Sequence, residues 1–154
     1  MTPITQLSEH FILIEFISST TASTQNITEQ FDPPAEVVNN LKNLCQNLLE
    51  PLRAKISEKL GKDTPIHITS GYRCPRLNKA VGGVPNSQHQ TGEAVDTHVD
   101  GMSIEEWYQF VKSCGIKFDQ CIQEFDSWAH ISYASKNRGE CWRYSHSAAP
   151  KREA

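Results

Sequence analysis

Three short stretches of this chain concentrate side chains able to hold a metal ion and to move a proton. The first is Ser87-Gln88-His89-Gln90-Thr91-Gly92-Glu93-Ala94-Val95-Asp96. Seven positions separate His89 from Asp96, too long a step for one helical face. The spacing suits a loop residue and a strand residue converging on one point, with Gly92 letting the backbone turn between them. In the second stretch, Glu124, Asp126, Trp128 and His130 recur at every other position, so on a strand they would share a face. The third is Ser70-Gly71-Tyr72-Arg73. Two histidines and one carboxylate leave the fourth position of a tetrahedral zinc open for water, which is the catalytic arrangement. A neighbouring carboxylate can then take that water's proton, and an arginine can grip a carboxylate with two parallel hydrogen bonds.

Each of these residues also has a plainer reading, because the pattern is not an HExxH helix. His89 can be an ordinary loop histidine, Asp96 a cap or a lysine partner, His130 a satisfied strand histidine and Arg73 a surface arginine. His98, two after Asp96 on the same predicted face, is a rival ligand. His67 alternates away from Ile66 and Ile68 and is expected to be exposed, while His10 and His146 fall in weakly ordered stretches.

The elements that must position these groups can be sketched from periodicity. Residues 8–16 suggest a short helix, and 18–26 (SSTTASTQN) a polar loop. Asp32-Pro33-Pro34 starts a helix well, with Asp as N-cap and Pro at the first helical position. Val37, Val38, Leu41, Leu44, Cys45, Leu48 and Leu49 then recur at spacings of three and four. Pro51 should kink or restart this helix, and Leu52, Ile56 and Leu60 carry the stripe to a capping Gly61. Residues 66–69 alternate as a strand, 71–92 read as long loops, and 94–99 read as a strand. Ser103-Ile104-Glu105-Glu106 is a capping box opening a helix that ends near Gly115. Residues 118–125 and 127–133 read as two further strands. The expectation is one α+β domain over 1–144, with a central antiparallel sheet and N-terminal helices packed on it, followed by a loose tail over 145–154.

Composition limits the function classes. At 154 residues, 38% apolar and 21% charged, the chain is an ordinary one-domain globular protein. A net charge of −3 offers no basic footprint for nucleic acid, and no apolar run is long enough to span a membrane. The first basic residue is Lys42, and the run 11–17 contains Glu15, so no secretory signal is read. Five cysteines with no CxxC pair argue against a disulfide scaffold or a cysteine zinc finger, and each is expected to be a free, buried thiol.

Taken in order, Ser70-Gly71-Tyr72-Arg73-Cys74-Pro75, then Leu77-Asn78 through Gly82-Gly83, then Ser87-x-His89-x-x-Gly92-x-Ala94-x-Asp96, then Glu124-Phe125-x-x-Trp128-Ala129-His130-Ile131-Ser132, resemble the zinc D-Ala-D-Ala carboxypeptidase family. Phage L-alanyl-D-glutamate endolysins, D-Ala-D-Ala dipeptidases and the hedgehog signalling domain share its fold. The likeness runs from about Phe11 to Arg138, and is strongest to short single-domain bacterial and phage members. It implies one zinc ion held by His89, Asp96 and His130, with Arg73 steadying the substrate carboxylate or scissile carbonyl and Ser87 near the substrate. Some relatives carry the catalytic base three residues before the last histidine, where this chain has Ser127, which cannot serve. Others carry a glutamate six before it, which is Glu124 here, with Asp126 as runner-up.

The resemblance therefore implies a zinc peptidase acting on peptidoglycan stem peptides or cross-links, as a D-Ala-D-Ala carboxypeptidase or an endolysin-like endopeptidase. The alternative is a non-catalytic, zinc-stabilised module that binds wall peptide or a protein. A monomer is expected, with no nucleic-acid or membrane partner. Made without a signal, it would act in the cytoplasm or reach the wall through a phage lysis system.

Overall fold

The computed structural model of the chain describes residue 2 and residues 4–153. Strands β1 (Gln6–Ser8) and β2 (Phe11–Ile12) form a small antiparallel ribbon. Two short helices follow, α1 (Ile14–Ile17) and α2 (Thr20–Thr24). Residues 8–16 are thus strand and turn before they are helix. The segment read as a polar loop contains α2, because the Ser19 hydroxyl accepts the Ala22 amide at 3.1 Å and caps it.

The apolar stripe forms α3 (Ala35–Leu44) and α4 (Glu50–Leu60), joined by a π-helical turn over Cys45–Leu49. Pro51 lies in the first turn of α4. It has no amide to complete the α-ladder, and the hydrogen-bonding widens just ahead of it. Gly61 ends the helix in the left-handed conformation (φ 70°), as a glycine cap should. Pro34, not Asp32, is the N-cap residue of α3.

The six-stranded sheet has the order β3-β4-β6-β5-β7-β8, with β3 (His67–Ser70), β4 (Ala94–His98), β5 (Gln120–Glu124), β6 (Trp128–Ser132), β7 (Glu140–Ser145) and β8 (Ala148–Glu153). The mixed α+β class is as expected, but the sheet is not wholly antiparallel, since β5 and β7 pair in parallel. The cause is local. β6 runs against β5 and ends beside its start, and residues 133–139 carry the chain round to the free side of β5. The buried Asp119 carboxylate anchors this crossover. It accepts from the Arg138 amide (3.1 Å) and guanidinium (2.8 and 2.9 Å) and from Gln88 (2.8 Å).

The stretch read as a tail also differs, because residues 148–153 pair with β7 as an antiparallel strand. The loops at 71–92 contain a helix, α5 (Pro75–Ala80), and a 3-10 turn (Gln88–Thr91). The last helix, α6 (Ile104–Ser113), has both halves of its capping box, Ser103 with Glu106.

The sheet has two unlike faces. Val95, Thr97, Cys121, Ala129 and Ile131 are fully buried, and the Trp107 indole of α6 donates to Thr97 Oγ1 at 2.9 Å. Val95, Cys121, Ala129, Ile131 and Trp107 share one hydrophobic core with Leu41, Leu44, Leu48 and Leu52 of the N-terminal helices. The opposite face lines a cleft. All five cysteines are free, and four are buried. Among the described residues no helix is long and apolar enough to cross a membrane.

Candidate metal centre

Each ligand candidate sits where its element leaves it little freedom. Asp96 on β4 and His130 on β6 are direct cross-strand partners, so their side chains leave the sheet on the same face. His89 arrives from the 3-10 turn, whose first amides are capped by the Ser87 hydroxyl (3.2 Å to the His89 amide). Gly92 closes that turn at φ 75°. A Cβ there would meet the Val37 carbonyl oxygen at 2.7 Å, so the turn also packs tightly on α3.

The three side chains meet in a near-equilateral triangle. His130 Nδ1 lies 3.1 Å from Asp96 Oδ1, His89 Nε2 lies 3.3 Å from the same oxygen, and the two nitrogens are 3.2 Å apart. All three residues are buried. His89 Nδ1 is 2.6 Å from the Gly71 carbonyl oxygen. A carbonyl only accepts, so Nδ1 carries the proton and Nε2 turns a bare lone pair toward the other two donors. A tetrahedral ion with bonds of 2.0–2.1 Å has its ligand atoms about 3.3–3.4 Å apart. Spacing, ligand type and the carbonyl behind His89 all fit a zinc-like ion held by His89, Asp96 and His130. Burial would push the Asp96 carboxyl up, but its contacts with His130 and His89 outweigh that and hold it well below the usual range. Burial also lowers the His89 imidazole, which favours the neutral, ligating form.

Around this triangle lies a cleft of about 990 Å³, lined in part by Arg73, Ser87, Glu124, Trp128 and Tyr144. Glu124 Oε1 is 3.8 Å from His130 Nδ1. Burial, the larger influence, raises its carboxyl above the ordinary value. Glu124 and His130 lie on two separate strands, as the reading of 118–125 and 127–133 expects, and not on the single strand that a shared period-two face would need. A hairpin turn with Phe125 (φ 57°) and Asp126 (φ 54°) in the left-handed region lies between them, and Glu124 pairs with Trp128, Ile122 with His130. The turn removes Asp126 from the shared face. Asp126 is exposed, accepts from the Gln123 side chain and returns a backbone hydrogen bond to it. Gln123 belongs to the opposite face, where it reaches Glu105 of α6.

Arg73 borders the cleft with its Nε buried and without a hydrogen-bond partner among the described residues. Its backbone amide donates to the His89 carbonyl at 2.9 Å. Gly83 packs against the Asn78 side chain and the Arg73 guanidinium, and a Cβ there would lie 2.7 Å from Nη1. His98 is not part of the triangle; it pairs with His67 instead.

Sequence patterning missed the groups that hold this frame. Gln30 is fully buried and donates to the Ile17 and Tyr72 carbonyls (3.0 and 2.7 Å) while accepting the Cys74 amide (2.9 Å). Its bonds to Tyr72 and Cys74 flank Arg73, and the one to Ile17 ties that segment to α1. Its neighbours Thr28, Glu29 and Phe31 have no periodicity that marks it. Gly71 is the second such group: a Cβ would lie 2.6 Å from the Phe16 carbonyl oxygen. Only glycine lets this segment approach α1 while pointing its carbonyl at His89.

No curated protein matches the chain. The family model described as Peptidase M15 matches residues 9–132, a span that holds the triangle, Arg73 and Glu124. The chain belongs to the Peptidase M15 family, and with it to the metallopeptidases.

Proposed function

We propose that this metallopeptidase is a zinc enzyme that hydrolyses peptide bonds of peptidoglycan stem peptides or cross-links. The observation that carries the reading is the triangle of His89, Asp96 and His130, with edges of 3.1–3.3 Å, beneath a cleft that also holds Glu124 and Arg73. Bound there, zinc would polarise the scissile carbonyl and acidify a water molecule.

Glu124 is the base. Its carboxylate takes the proton of the attacking water and delivers it to the departing amine, so one side chain serves both halves of the hydrolysis. Arg73 supplies N–H donors to the substrate, at a terminal carboxylate or at the oxygen that gains charge during attack. Ser87 lies at the cleft wall and orients the peptide beside His89. The cleft volume suits a short peptide.

The test is mass spectrometry of purified peptidoglycan fragments after incubation with the zinc-loaded protein. Release of terminal D-alanine marks a carboxypeptidase, and separation of cross-linked or stem fragments marks an endopeptidase. Unchanged fragments that nonetheless co-purify with the protein would identify a binding module instead.

A further inference from the structure

Two imidazoles and a carboxylate meet a second time in this fold, at the edge of the sheet. His67 on β3 and His98 on β4 are cross-strand partners. Their rings stack with centroids 4.8 Å apart and planes 21° from parallel. Asp100, two residues past His98, brings Oδ2 to 2.9 Å from His67 Nε2. One ligand atom from each of the three lies within 4.8 Å of the others.

We propose that His67, His98 and Asp100 form a second metal site, taking a divalent ion that favours imidazole, such as Zn²⁺, Ni²⁺ or Cu²⁺. The backbone ladder between β3 and β4 already fixes the spacing of the two histidines, so little ordering is needed before they close on an ion. The site differs from the first in ways that set its strength. Its residues are half-buried or exposed, with the Asp100 side chain 80% accessible. The ligands of the first site are all buried, whereas these stand open to water. Water reaches the exposed Asp100 freely, so it would complete the shell and compete with the protein ligands. The second site binds more weakly and exchanges faster than the first.

Its location gives it a structural consequence. β3 is an edge strand, held to the sheet only through β4. An ion bridging His67, His98 and Asp100 ties that edge to its neighbour and to the loop that follows it. The site lies about 7 Å along β4 from Asp96, on the same face, yet shares no residue with the triangle. The inference stands whether or not the protein cleaves wall peptides.

The test is calorimetric titration of the metal-stripped full chain with Zn²⁺ alone, together with NMR of the histidine rings. Wild type should take up two equivalents, and the ring signals of His67 and His98 should shift with the second. His67→Gln and His98→Gln should each weaken the second equivalent by about tenfold or more and keep the first, whereas His89→Ala should lose the first and keep the second. Asp100→Asn, an exposed change, gives the same reading if a histidine variant misfolds. A single equivalent in wild type, two unaltered equivalents in the His67 and His98 variants, or unmoved His67 and His98 signals would each overturn the proposal and leave a hydrogen-bonded His67–Asp100 pair.

Discussion

The carbonyl oxygen of Gly71 stands 2.6 Å from Nδ1 of His89, and this one contact decides which nitrogen of the imidazole faces Asp96 and His130. Gly71 can make it because nothing projects from its α-carbon toward the Phe16 backbone, 2.6–2.7 Å from where a Cβ would sit. Gly71→Ala should therefore do two things. Overpacking should lower stability by about 1–3 kcal/mol, and loss of the carbonyl behind His89 should weaken zinc binding by about 10–100-fold. A thermal melt and a chelator competition measure the two. Unchanged zinc affinity in a destabilised variant would remove the carbonyl from the ligand's support.

Glu124→Gln should keep zinc and the fold while turnover of a wall peptide falls by about 10²–10⁴-fold. Asp126→Asn should leave turnover near wild type, since its carboxylate is engaged with Gln123. Steady-state kinetics with metal content measured on the same samples decides between them. The reverse pattern would move the base to Asp126.

Arg73→Ala should lower kcat/KM with little loss of stability, because its Nε has no partner among the described residues to leave stranded. Gly83→Ala should reproduce part of that loss at full zinc occupancy, since its methyl group would press first on the Asn78 side chain and then on Arg73 Nη1, 2.7 Å away. If Arg73→Ala instead lowers the melting temperature and leaves kinetics unchanged, the residue is a packing element.

Asp119 yields a pH prediction. Hydrogen bonds from the Arg138 guanidinium, ahead of the opposing effect of burial, hold its carboxyl below the ordinary value. A carboxyl depressed in the folded state contributes stability above its unfolded value of about 3.9, and that contribution is lost as the pH falls through the folded one. Asp119→Asn should therefore destabilise by about 2–3 kcal/mol at pH 7, as hydrogen bonds to a charged group are lost. The gap from wild type should narrow below about pH 4. Melting curves at pH 7 and pH 3 check this, and a gap independent of pH would count against the pairing.

The grouping of His89, Asp96 and His130 was legible in the sequence because residue type and order survive folding: the three side chains come together as their motifs implied. Gly92 and Gly61 were legible for the same reason, each at a positive φ that the pattern required. What was not legible depends on contacts between distant segments or on backbone sign. Period-two spacing placed Asp126 beside Glu124 and His130, but two consecutive left-handed residues turned the chain between them. Gln30 reads as one polar residue among several until the carbonyls of Ile17 and Tyr72 surround it. The parallel pairing of β7 depends on β6 having already taken one side of β5, an order that no local pattern encodes.

The last strand has a consequence beyond architecture. β8 forms one border of the sheet, and it carries Pro150, Lys151, Arg152 and Glu153 there. A proline that cannot donate and a run of charges make a poor template for another chain. Without β8, the border would pass to β7 and its Cys141-Trp142-Arg143-Tyr144 run, a far stickier one. The residues of β8 thus shield the sheet's border against self-association, and a variant lacking β8 should clump at concentrations where the chain that keeps it stays dispersed.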